Sequence, residues 1–269
     1  MANALGQMPN APLVYVLAQI RFTHIPRMDR RWEDFHENVL ESYPLADPSE
    51  RIEQLTIKDG KPSVGDSIQR WKLFSDDRTS GLIVTADSLV FHAIKYKTSK
   101  HLIAELDGIL RNFAKVIPEK MVRVNRLGLR YVDLLLPESG LMVDDQVIEN
   151  LRLPLLPDLG KPERMEQVVT YKTDVGGKLV IRHRQSVNPD LLPADIFPNN
   201  LEVAPRLSRP KPEGQVAGLL DYDHFLEKDM HFDVATIIDD FRKLHSVSSA
   251  AFLKTTTKEA QQMWNMEST

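Results

Sequence analysis

The chain has 269 residues, 42% hydrophobic and 27% charged, with a formal net charge of −4 at pH 7 and no cysteine. Such a length buries one large core or two modest ones, and the slight acidity argues against a generally basic nucleic-acid surface. Disulfides, iron–sulfur clusters and thiolate zinc sites are excluded, and the absence of cysteine suits a reducing, cytoplasmic setting.

Residues 1–11 open as MANALGQMPNA. They lack the basic and apolar regions of a secretory signal and are expected to form a disordered N-terminal segment. No run approaches the ~20 apolar residues of a membrane span. Pro12 then starts an extended run, LVYVLAQIRFT. Alternation puts Val14, Val16, Ala18, Ile20 and Phe22 on one face, and both faces begin apolar, as in a strand covered on two sides. A helix is expected over 28–42, where Trp32, Phe35, Val39 and Leu40 form a stripe that ends at Tyr43-Pro44. Strands are expected over 52–57 and 67–75, with a turn at Asp59-Gly60, and over 81–85 and 88–96. Ser99 is a candidate cap for a helix reaching Ile117, with Leu102, Leu106, Ile109 and Phe113 in its stripe.

The order then starts again. Residues 122–136 form a strand on which Val122, Val124, Arg126, Gly128, Arg130 and Val132 share a face. A short helix is expected over 143–151, with Asp144 and Asp145 suiting its dipole. A hairpin over 165–173 and 177–186 turns at Val175-Gly176, and a long strand spans 215–228. Asp233 caps a helix with a stripe including Ile237, Phe241, Leu244 and His245, and Thr257 caps a last one. The fold class is therefore α+β, a curved antiparallel sheet with helices on one face. The order β-α-β-β-β-(β)-α occurs over 12–118 and again over 119–269, which predicts a tandem pseudo-duplicate. Gln19-Ile20-Arg21-Phe22 and Gly128-Leu129-Arg130-Tyr131 echo each other. The element order resembles the TATA-binding-protein-like and helix-grip folds, an analogy that gives no function.

Residues 186–214 hold six of the 17 prolines and interrupt the second half. They form either a pinned surface excursion or a lid or partner-binding loop. Leu191, Leu192, Ile196 and Phe197 suggest that part of the insertion docks on the body.

The charged residues on strands are the candidate site. Arg126 and Arg130 lie ~13 Å apart along one strand, too far to grip one carboxylate but able to line a groove. Arg182 and Arg184 share a face, as do Asp221 and Asp223. If these strands are neighbours, one reading is cross-strand ion pairing worth about 0.2–1 kcal/mol per pair. The other is a polar concave surface for an anionic ligand, since arginine forks match phosphate and carboxylate. Gly128 permits either a close approach or a bend in the sheet. Asp221 and Asp223 also suit Mg²⁺ or Mn²⁺, but no third ligand is evident nearby, and no metal or other cofactor is expected. His245 reads as a hydrogen-bonded core residue, and His183 has no obvious partner. Trp32, Trp71 and Trp264 read as packing, with Trp264 a possible anchor for a partner.

Four stretches together, Pro12-Leu13…Ile20-Arg21-Phe22, Arg126-x-Gly128-Leu129-Arg130-Tyr131, Leu220-Asp221-x-Asp223, and Leu244-His245 followed by Phe252 and Thr255–Thr257, carry a resemblance. The chain resembles a sporadically distributed prokaryotic family of conserved hypothetical proteins. The resemblance covers nearly the whole chain and brings no activity, substrate or cofactor with it. The family's patchy occurrence implies an accessory or phage-defence gene. This sequence departs where the mid-chain strand continues as Val132-Asp133-Leu134-Leu135, and in its long insertion.

P-loop, dinucleotide-binding and nucleophile-elbow signatures are absent. The expected function is thus a non-catalytic binding protein that engages a protein partner or an acidic small ligand. The alternative is a metal-dependent hydrolase or nuclease using Asp221 and Asp223. Uncovered sheet edges and an apolar C-terminal helix suggest a homodimer.

Overall fold

The computed structural model describes residues 10–58, 61–154, 156–160, 162–187, 192–193, 196, 200–209 and 214–264. Residues 1–9 of the expected N-terminal tail, the Asp59-Gly60 turn, Leu191 and Phe197 lie outside them. The chain runs β1 (Leu13–Phe22), α1 (Met28–Val39), β2 (Leu45–Lys58), β3 (Lys61–Phe74), β4 (Ser80–Val84), β5 (Ser88–Ala93) and α2 (Ser99–Ala114). It continues through β6 (Arg123–Leu135), α3 (Val143–Gln146), β7 (Arg164–Lys172), β8 (Lys178–Ser186), β9 (Ala217–His231), α4 (Val234–Thr255) and α5 (Lys258–Met263). The strands form one antiparallel sheet in the order β2-β3-β4-β5-β1-β6-β9-β8-β7. β1 and β6 pair at its middle and join the strands of both halves of the chain into one layer.

Helices cover one face. Ile20, Phe22, Leu129, Leu106, Phe113, Ile237 and Phe241 are buried together there, each such side chain contributing on the order of 1.5–3 kcal/mol. α2 is capped by Thr98, not Ser99. Thr98 is extended and its hydroxyl accepts from the His101 N–H, whereas Ser99 is already helical. Asp233 and Thr257 cap α4 and α5 as the sequence predicts, accepting from Thr236 N and Ala260 N. The helix expected over 143–151 is broken. Val147 leaves it to make a β-bridge with Thr256, and a separate 3-10 turn follows at Glu149–Leu151. Asp144 is drawn away from the helix start to accept from Leu153 N and Gln185 Nε2.

Two irregularities change which residues share a face. The register of β6 slips between Val124 and Arg126 against both neighbouring strands. Asn125 is therefore a one-residue bulge, and a bulge inverts the alternation beyond it. Val122 and Val124 consequently lie in the helix-side core, while Arg126, Gly128, Arg130 and Val132 occupy the opposite face. A similar slip between Leu13 and Tyr15 separates Val14, which joins a second apolar cluster, from Val16, Ala18, Ile20 and Phe22.

That second cluster lies on the face the helices leave open. Val14, Tyr15, Val132, Leu134 and Leu219 pack against Ile196, Ala204 and, partly buried, Leu192, Leu201 and Leu207 of the insertion. Arg206 is buried and donates to the Leu134 carbonyl at 2.7 Å and to Glu138 at 3.0 Å. Asn200 donates to Asp47 at 2.6 Å and accepts from Arg78. The described parts of the insertion are thus a strap pinned across one end of this face. The C-terminal helix needs no second copy to cover it either. Trp264 is fully buried and tilts against Phe252 at 5.7 Å, so it is no exposed anchor. Trp32 stacks on Trp71 at 5.7 Å, as packing residues do.

Candidate functional site

β6, β9 and β8 are neighbours, which brings the predicted residues onto one stretch of the open face. Arg182 pairs across from Asp221, and Arg130 across from Asp223. The ion pairing follows a diagonal. Arg130 donates to Asp221 through Nε at 2.8 Å and Nη2 at 2.7 Å, a two-pronged contact, and Arg182 approaches the same carboxylate at 3.4 Å. The Asp221 side chain is 0% exposed and that of Arg130 is 11% exposed. This is a buried cluster, so the surface-pair magnitude does not apply to it. Removing one partner of such a pair strands a charge and costs about 3–5 kcal/mol. Arg184 turns away, to Glu166 on β7 at 2.8 Å.

Arg126 behaves differently. It donates to the Gln19 side-chain oxygen at 2.7 Å, and its guanidinium lies 4.5 Å from the centre of the Phe225 ring. It is half-buried, and burial holds its pKa below the usual arginine value, against the pull of Asp223. Among the described residues it makes no salt bridge. Directly across the β1–β6 pair stands Arg21, and like charges facing each other on a sheet are destabilising. The carboxylates nearby are engaged elsewhere: Asp87 accepts from Thr85 at 2.6 Å, and Glu227 pairs with Lys178 at 3.7 Å. Arg21, Asp87, Asn125, Arg126 and Glu227 line a cleft of about 390 Å³. Asp223 sits beside it, its pKa raised by burial despite Arg126 and Arg130.

The role of Gly128 follows from this geometry. A Cβ there would stand 3.2 Å from Arg126 Nη1. The glycine makes room for the guanidinium of its own strand to fold over the sheet. No positive φ is involved.

Metal coordination is poorly served. Asp221 is already committed to two guanidinium groups, and among the described residues no three His, Asp or Glu side chains converge as a metal ion needs. His224 points to the helix side and bonds to Thr173 and the Leu244 carbonyl.

A second feature escaped the sequence reading. Between the helix-covered face and α2 and α4 lies a cavity of about 120 Å³ whose lining includes Tyr96, Tyr131, Asp133, Tyr222, His245 and Ser249. Tyr131 hydroxyl and His245 Nδ1 are 2.9 Å apart, and Ser249 lies 3.2 Å from His245 Nε2. Burial lowers the His245 pKa to about 4, so the imidazole is neutral. His245 is the hydrogen-bonded histidine the sequence suggests, but it borders a hole. Burial also raises the Asp133 carboxyl to about 8. The signal for Asp133 is present in the alternation itself: it follows Leu129 and Tyr131 on a face otherwise committed to the core.

No protein-family model matches the chain, and no curated protein matches it. Among the described residues no helix is long and apolar enough to cross a membrane.

Proposed function

We propose that the protein is a non-catalytic binding protein that captures an acidic ligand, or an acidic segment of a partner, on the open face of its sheet. The observation that carries this reading is the facing pair Arg21 and Arg126: two guanidinium groups in one cleft, with no carboxylate in salt-bridge contact among the described residues. A carboxylate or phosphate bridging them offsets their repulsion and accepts two forks of donors. Asp223 accepts from a hydroxyl or N–H on the same ligand. Arg130, Arg182 and Asp221 form the rigid floor, and Arg184 belongs to the edge of the sheet. The setting is cytoplasmic, in an accessory or phage-defence role.

The scaffold reads as an internal duplication of the TATA-binding-protein-like or helix-grip kind. Supporting this, β3-β4-β5-β1 is followed in the sheet by the mirror order β6-β9-β8-β7, with β2 as an addition. Gln19 faces Gly128, so a two-fold axis through that pair exchanges the two echoing tetrapeptides. It carries the Leu17–Arg130 pair onto Arg126–Arg21, which is also a pair in the register. A homodimer, if formed, uses the free edge at β7, where Val168, Val169 and Tyr171 are exposed.

The test is a calorimetric titration with pyrophosphate and with citrate at fixed ionic strength. Saturable binding that is lost in Arg126→Ala and weakened in Arg21→Ala, with unchanged circular dichroism, supports the reading. Binding that is equal in wild type and both variants contradicts it.

A further inference from the structure

Asp133 lies on the other face of β6, away from the anion cleft. The residue is 4% exposed, it lines the cavity beneath α2 and α4, and no hydrogen bond reaches its carboxyl among the described residues. A buried carboxyl without a hydrogen-bond partner is costly whether it is charged or merely polar. The charges acting on it are Arg206, which favours its ionised form, and Asp221, which opposes it; its own charge acts on the hydroxyls of Tyr131 and Tyr222 at the cavity, both hydrogen-bonded, to His245 and to Thr255. Four aromatic rings form part of the cavity wall: Tyr96 meets Tyr131 edge-on at 5.9 Å, and Tyr222 meets Phe252 at 6.1 Å.

We infer that this cavity is a second binding site, for a small organic cation whose primary ammonium group enters beside Asp133 within the ring of Tyr96, Tyr131 and Tyr222. An ammonium group supplies the three donors that the Asp133 carboxylate and the tyrosine oxygens lack. Its charge also interacts favourably with the faces of the surrounding rings. The neutral His245 does not repel it, and the cost of ionising Asp133 in this setting is recovered when the cation arrives. Lys97 borders the opening but is solvent-exposed, so its repulsion is screened. The size of the cavity favours a cation with a short chain. The site is independent of Arg126 and does not rest on the anion-binding reading.

The test titrates three probes of similar size, propylammonium, propanol and propionate, into the full chain and its Asp133→Asn variant. The expected result is saturable binding of propylammonium alone. Asp133→Asn weakens it about a hundredfold, as for loss of one partner of a buried charge pair. Tyr96→Leu weakens it about tenfold through loss of a ring face, and keeps the inference testable should Asp133→Asn misfold. Arg126→Ala leaves propylammonium binding unchanged, which separates the two sites. Propanol or propionate binding as tightly as the amine overturns the inference. So does full amine affinity in Asp133→Asn or Tyr96→Leu, or no saturable binding of propylammonium.

Discussion

Two arginines four residues apart on one face of one strand have opposite surroundings. Arg130 is clamped to a fully buried carboxylate by two prongs, while Arg126 rests on an amide and an aromatic ring and faces another arginine. The contrast teaches that a positive charge on a sheet marks a binding site only where its countercharge is missing. Where the countercharge is built in, the arginine is part of the core.

The comparison breaks most visibly under substitution. Arg130→Ala is expected to destabilise the fold by roughly 3–5 kcal/mol, because it removes the two-pronged partner of a fully buried carboxylate and leaves only the longer Arg182 contact. Arg126→Ala is expected to cost under about 1 kcal/mol, since no buried charge is left behind. Urea unfolding of the two variants measures the difference, and equal losses erase the distinction between clamp and cleft.

A third charged group on β6, Asp133, sharpens the comparison on the opposite face. Its folded-state pKa of about 8 lies above the unfolded carboxylate value. Between those values the folded chain holds a proton that the unfolded chain has released. The Asp133 contribution is therefore complete at low pH and is lost as pH rises towards 8, at up to about 1.4 kcal/mol per pH unit. Asp133→Asn should flatten that part of the stability profile, read from unfolding midpoints across pH 4 to 9. A variant profile as steep as wild type would place the charge elsewhere.

Gly128→Ala probes the cleft more gently. The added methyl presses on Arg126 Nη1 at 3.2 Å, so the guanidinium must shift by a few tenths of an ångström. Stability is expected to change by less than about 1 kcal/mol, because the entropy gained over glycine offsets the crowding. Pyrophosphate affinity is expected to fall severalfold. Calorimetry on this variant tests whether the position of Arg126, beyond its charge, matters.

Much of this was legible in the sequence. Alternation identified the strands, the helical stripes found α1, α2 and α4, and Asp233 and Thr257 announced their helices. The sequence offers the adjacency of Arg130, Arg182 and Asp221 only on the condition that their strands are neighbours, and it is the sheet order that meets it. The bulge at Asn125 does leave a mark, since Asn125 and Arg126 are two polar residues in a row between the alternating Val122, Val124 and Leu127, Leu129, but strict alternation reads across it. Strict alternation therefore puts Val122 and Val124 on the face of Arg126, whereas the bulge turns them into the helix-side core. The strap was only half legible: Leu192 and Ile196 signalled docking, but the anchor through Arg206 is a contact with a distant carbonyl that local pattern does not encode. Asp133 was visible as a departure from the family resemblance, yet its meaning depends on a cavity formed by helices more than a hundred residues apart on the chain.

The most direct measurement is the melting temperature of wild type and Arg126→Ala across a pyrophosphate titration at constant ionic strength. A ligand that binds only the folded chain raises stability with the logarithm of its concentration once sites fill. Wild type should show that rise and Arg126→Ala should stay flat. Parallel rises in both proteins, or none in either, would contradict an anion site at Arg126.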